Sequence, residues 1–101
     1  MGTVTPVVQV DDGRVRVARW TLHRGEDTGR HRHAYDYVVV PLTDARMTVV
    51  DVDGTRSTYD LRTGVSYART AGVEHTVGNE DDATLDFVEV EIVVPSPPVG
   101  V

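Results

Sequence analysis

The sequence predicts an all-β protein, a sandwich or barrel with little or no helix. Valines alternate with polar residues over short distances, as one buried sheet face requires. Turn-forming clusters punctuate the chain: Asp11-Asp12-Gly13, Arg24-Gly25-Glu26-Asp27, Asp53-Gly54, Thr63-Gly64 and Gly78-Asn79-Glu80-Asp81-Asp82. No window places apolar residues at the 3.6-residue period of a helix face.

Taken in order, the expected strands are Val7–Val10, Val15–Leu22, Arg30–Val40, Met47–Val52, Thr55–Leu61, Gly64–Ala68, Val73–Val77 and Thr84–Val94. Asp53-Gly54 reads as a two-residue hairpin turn. Pro41, which lacks an N–H for the ladder, ends the long third strand. In Val15–Leu22 the apolar phase slips near Ala18, and in Thr84–Val94 between Phe87 and Val88. Each slip implies either a bulge or a strand partly buried on both faces. Residues 1–14 read as an N-terminal strand or arm, 15–94 as one barrel domain, and 95–101 as a Pro-rich extended tail.

Composition removes whole classes of chemistry. The 101 residues include no cysteine, which excludes thiol nucleophiles, thiolate metal sites and disulfides. All ten basic residues are arginine, so Schiff-base lysines and P-loops are excluded too. A net charge of −6 argues against a nucleic-acid partner. There is no signal-peptide pattern and no apolar run of membrane-spanning length, so the expectation is a cytoplasmic protein without a membrane partner.

Chemistry concentrates in Gly29-Arg30-His31-Arg32-His33, which opens the third strand. Residues two apart on a strand share a face, so His31 and His33 can converge. Two imidazoles are half a metal site, and Gly72-Val73-Glu74-His75 offers a third on another short strand. By the same parity Tyr35, Tyr37 and Val39 join the histidine face, and Asp36 points away.

These two stretches resemble the two conserved motifs of the cupin superfamily. Gly29-x-His31-x-His33 is similar to the first. Gly64-x5-Thr70-x-Gly72-x2-His75-x3-Asn79 is similar to the second, with Thr70 where proline is usual. The resemblance covers residues 15–94 and implies a jelly-roll β-barrel with one divalent metal (Fe, Ni, Mn or Zn) held by His31, His33 and His75. Tyr35-Asp36-Tyr37-Val38-Val39-Val40-Pro41-Leu42-Thr43-Asp44 further resembles small single-domain cupins associated with β-alanine degradation. Cupins often add a glutamate three or four residues after the second histidine; here that place holds Asp36 and Tyr37.

With imidazole ligands alone, a divalent ion keeps its full charge as a Lewis acid. Tyr37 is then a distant ligand, a proton donor or a wall residue. Glu89 and Glu91 share a face: inside the barrel one serves as an acid/base with a raised pKa, and outside they are solvated charges. Arg16 and Arg19 read as surface arginines or as anchors for a carboxylate substrate, His23 as a surface histidine, and Asn79 as a turn residue. The resulting expectation is a metal-dependent enzyme, an oxygenase or an isomerase/lyase, acting on a small polar or anionic metabolite. The catalytic candidates are Tyr37 and Glu89. The alternative is a non-catalytic small-molecule or metal-binding module. Apolar outer faces on the two slipped strands, together with the cupin resemblance, lead to a homodimer.

Overall fold

In the computed structural model, residues 2–93 are described. The C-terminal tail at 95–101 lies outside that range, as does Val94. The chain runs through β1 (Gly2–Thr3), β2 (Val7–Asp11), β3 (Val15–Leu22), β4 (Glu26–Asp27), β5 (His31–Arg32), β6 (Tyr37–Pro41), β7 (Ala45–Asp51), β8 (Arg56–Leu61), β9 (Tyr67–Arg69), β10 (Glu74–Gly78) and β11 (Leu85–Ile92). No helix occurs among the described residues. One sheet has the order β1-β4-β10-β7-β8 with β5 also on β10; the other has the order β2-β3-β11-β6-β9. The two face each other as a jelly roll, and the all-β expectation holds.

The interior is graded. Leu22, Leu61, Val77, Leu85 and Phe87 fill one end with apolar volume, and Met47 and Val49 continue it toward the histidines. The other end receives Trp20, His31, His33, Tyr37, His75 and Glu89. Buried Asn79, 1% exposed, ties the apolar end shut: its Nδ2 donates to the carbonyls of Leu22 (2.9 Å) and Ala83 (2.8 Å), while Oδ1 accepts from Asp81 N–H (3.0 Å). The turn position is as expected, but the side chain is a buried clamp.

Three strand expectations are corrected. Arg30–Val40 is not one strand: β5 belongs to one sheet and β6 to the other, and the chain crosses between them at residues 33–36. The single-parity face therefore fails, and Tyr35 is 39% exposed. The hairpin between β7 and β8 has a three-residue loop, because Asp51 N–H still donates to the Thr55 carbonyl. Only Gly54 takes positive φ (85°) there, as in a type I turn followed by a left-handed residue, and Asp53 instead accepts from Thr55 N–H. Finally, the strand expected at Gly64–Ala68 starts only at Tyr67 and runs to Arg69, because Gly64 takes a φ of +76° and Val65 N–H closes a turn onto the Arg62 carbonyl. The parallel two-residue strands β1 and β4 are too short for a periodicity to reveal.

The phase slips have a common cause. The register of β11 with β3 is unbroken from Leu85↔Leu22 to Ile92↔Val15, and with β6 from Phe87↔Pro41 to Glu91↔Tyr37. Among these pairings, the register shift lies in β2, between Val8 and Val10. Inward positions continue along β11 but change from Leu85 and Phe87 to Glu89 and Glu91 as the strand enters the polar end. Valines take the outward positions instead. Of the two readings, the slips report a polar interior backed by an apolar exterior.

Replacing Asn79 with Ala strands the buried Leu22 carbonyl and removes the donor from the part-buried carbonyl of Ala83; loss of about 2–3 kcal/mol in urea unfolding is expected, with the m-value unchanged.

Candidate metal centre

Each histidine reaches the centre by a different backbone device. His31 sits on β5, which pairs antiparallel with β10 so that His31 stands opposite His75. The turn before it needs Gly29, whose φ is +72° and where an added Cβ would meet Thr3 Cγ2 at 3.0 Å. His33 lies just past β5, yet its N–H donates to Val73 O and its carbonyl accepts from Gly72 N–H, both at 2.8 Å. His75 lies on β10 between β5 and β7. Asp36 turns away, accepting from Ala71 N–H at 2.8 Å, and so braces the loop between β9 and β10.

The three rings meet through their Nε2 atoms. His31 Nε2 is 3.0 Å from His33 Nε2, which is 3.3 Å from His75 Nε2, and the three potential ligand atoms lie within 4.8 Å of one another. Behind His31, Nδ1 is 3.0 Å from the Gly29 carbonyl and 3.2 Å from Thr28 Oγ1. A carbonyl only accepts, so Nδ1 carries the proton and Nε2 presents a lone pair. Burial, reinforced by the neighbouring histidines, holds His33 down to about pKa 4. Burial followed by the proximity of His31 does the same to His75. Neutral imidazoles converging through Nε2 form a donor set that fits a divalent ion, with the preparatory hydrogen bond already in place on His31.

Glu89 settles the question of face. It is 8% exposed inside the barrel, with Oε1 accepting from Trp20 Nε1–H at 2.9 Å and Oε2 3.8 Å from His33 Nε2. Burial pushes its carboxyl up to about 7, opposed in part by the Trp20 hydrogen bond. Glu91, also inward, is held by Arg16 at 3.0 Å. The reading of the two glutamates as external solvated charges is therefore overturned. Tyr37 stacks on His33 with ring centroids 3.9 Å apart, and burial raises its phenol above the usual range, so it remains a neutral hydroxyl. Arg19 faces outward in a bidentate pair with Asp86 (3.0 and 2.6 Å), and His23 is exposed and remote from the cluster.

Two cavities border the cluster and share no lining residue. One, about 350 Å³, is bounded by Arg16, Trp20, His31, His33, Glu89 and Glu91 among others. The other, about 120 Å³, is bounded by Tyr37, Asp51, Tyr59, Tyr67, Arg69 and His75 among others. Sequence reasoning missed Trp20, Tyr67 and Arg69. The slip at Ala18 was the available signal for Trp20, since it moves the apolar phase onto the inward side; β9 offered none.

With this geometry in view, the Cupin domain profile matches residues 18–91, most of the chain. The chain belongs to the cupin family. This cupin is 48% identical over 87 residues to the beta-alanine degradation protein BauB of Pseudomonas aeruginosa, covering 86% of this chain and 90% of that protein. Among solved structures it is similar to a cupin domain from Bordetella pertussis, with 44% identity, a TM-score of 0.86, and coverage of 92% of this chain and 96% of that one. An RmlC-like cupin from Methanocaldococcus jannaschii, described as a double-stranded β-helix, shares the fold at 22% identity. Its TM-score is 0.71, covering 88% of this chain and 81% of the other.

The buried groups oppose one another as pH changes. Unfolded histidine protonates near 6.5 and folded His33 and His75 near 4, so the stability of the metal-free cupin is lost as pH falls below 6.5. Glu89 acts in the other direction: its contribution is fully present below its unfolded value of 4.5 and is lost as pH rises through about 7. Thermal melts of chelator-treated protein should show the midpoint falling from pH 6.5 to 4.5. In Glu89→Gln the fall should be steeper, because the two histidines are then unopposed. A midpoint independent of pH over that range would contradict the burial of neutral histidines.

Proposed function

We propose that this cupin is a metal-dependent enzyme in which His31, His33 and His75 hold one divalent ion: Fe, Ni, Mn or Zn. The observation that carries the reading is a buried carboxylate beside the three-imidazole cluster, with a pKa near 7. A binding module has no need of an ionisable group at that place; an enzyme that moves a proton does. The substrate is a small polar or anionic metabolite, and the reaction is an oxygenase or an isomerase/lyase conversion. The name of the Pseudomonas relative supports a role in the breakdown of β-alanine or of a short acid of the same kind.

The bound ion would supply Lewis acidity undiminished by a carboxylate ligand. This chain's own residues do the rest. Glu89, held in its ionised form by the Trp20 Nε1–H, takes a proton from the substrate and becomes the neutral acid. Tyr37, neutral and stacked on His33, supplies a hydroxyl proton and fixes the ring plane of that ligand. Leu22, Leu85 and Phe87 close the floor against water.

Metal analysis of protein purified without chelator or nickel resin should give about one ion per chain, and His31→Ala, His33→Ala and His75→Ala should each lose it. Glu89→Gln should keep the ion and lose about a hundredfold or more in turnover on a substrate found by oxygen-uptake and short-acid screens. Retention of full metal by any histidine variant would remove that residue from the site. Full turnover by Glu89→Gln would return the chain to the binding-module reading.

We further propose that the cupin is a homodimer joined through the outer face of the β2-β3-β11-β6-β9 sheet. Val17, Val38, Val40, Val88, Val90 and Ile92 point outward there and are half-buried. The facing charges Arg19 and Asp86 neutralise each other. Two chains of net charge −6 repel across most surfaces, and this neutral apolar face lets them meet. Sedimentation equilibrium should give twice the chain mass for the wild type and the chain mass for Val90→Glu, with an unchanged circular-dichroism spectrum. A monomeric wild type would exclude the interface.

A further inference from the structure

The smaller cavity bordering His75 includes Tyr37 and meets Glu89 only across the histidine cluster, and its wall has the makings of a ligand site. Arg69, at the end of the edge strand β9, lies with its guanidinium 4.6 Å from the Tyr67 ring centroid and donates from Nη1 to the Ala68 carbonyl at 3.0 Å. Neither partner is an anion. Arg16, Arg19, Arg24, Arg30, Arg46 and Arg56 each hold a carboxylate within ion-pair distance, and Arg69 holds none among the described residues. In a chain with sixteen acidic residues, a guanidinium fixed on an aromatic face and left without a carboxylate is a prepared anion contact.

We propose that this cavity binds a short monocarboxylic acid, with its carboxylate on Arg69 and its alkyl stem directed toward His75. This rests on the reading that the three histidines are the reaction centre. Met47, Val49 and Val73 supply the apolar wall for the stem, while Tyr59 and Tyr67 supply aromatic edges near the mouth. About 120 Å³ gives room for roughly four water-sized groups, which limits the ligand to about five non-hydrogen atoms. The larger cavity is the wrong place for the acid. Among the described residues Arg32 borders it without a carboxylate at ion-pair distance, but Glu89 and Glu91 line it too, and Arg16 is already engaged by Glu91. Arg69 is thus the anchor that sequence reasoning sought at Arg16 or Arg19.

The test is titration of the ¹⁵N-labelled protein with propionate, malonate and propylamine, with and without one equivalent of Zn²⁺, followed by amide chemical shifts. Propionate should perturb Tyr67, Arg69 and Val73 and bind at least tenfold more tightly than malonate or propylamine. Arg69→Gln should weaken propionate at least tenfold with the remaining spectrum unchanged, Arg69→Lys should recover part of the loss, and Arg32→Gln should bind as the wild type does. Equal propionate binding by Arg69→Gln, shifts centred on Trp20 and Glu89 instead, or malonate binding as tightly would each overturn the proposal. Zinc uptake is read in the same samples. A protein that takes no zinc yet binds propionate through Arg69 keeps this site and loses the metal reading. One that takes zinc without Arg69-dependent binding keeps the metal reading and loses this site.

Discussion

Two backbone hydrogen bonds between His33 and the Gly72–Val73 turn underlie the whole arrangement. They join segments about forty residues apart and place an imidazole that belongs to no strand. Everything at the polar end follows from that junction. His33 becomes the ring that both other histidines approach, Tyr37 finds a face to stack on, and Glu89 acquires a nitrogen across from its free oxygen. Gly72 can serve because its φ of +98° turns the chain tightly before β10. The cost of holding an irregular segment at a barrel mouth is offset by completing its backbone pairing, with Asp36 fastening the next turn.

The graded interior divides stability from chemistry. The apolar end carries the packing, closed by the Asn79 clamp. The polar end holds groups that each oppose burial, yet every buried side-chain nitrogen and oxygen there has a partner among the described residues. Trp20 illustrates the economy of this arrangement. Its ring adds apolar volume beside His31, and its one N–H is spent on the carboxylate that most needs a donor.

Much of the fold was legible because alternation and turn chemistry are local. Nine of the eleven strands were anticipated at least in part, and the histidine triplet was readable because glycine and histidine spacing survives as pattern. What escaped was long-range. No local signal announces that a chain will leave one sheet at His33 and enter the other at Tyr37, and that crossing broke the parity argument for Tyr35. The side on which Glu89 lies depends on what stands across the barrel from it. The phase slip near Phe87 encoded the answer, but a slip alone does not distinguish a bulge from a polar core. Arg69 was invisible for a simpler reason: that it holds no carboxylate among the described residues is a matter of pairing, which three-dimensional neighbours decide.

The unbroken register of β11 has a temporal consequence. This strand is inserted between β3 and β6, and it pairs Leu85 with a residue more than sixty positions earlier in the chain. A ribosome delivers β3 and β6 long before it delivers β11, so the five-stranded sheet stays split while most of the chain is already synthesised. Until β11 arrives, the valines of β3 and β6 are unpaired edges. Glu89 arrives on the same strand. The carboxylate therefore enters the centre only as the sheet itself closes, and an immature chain has the histidines before it has the acid.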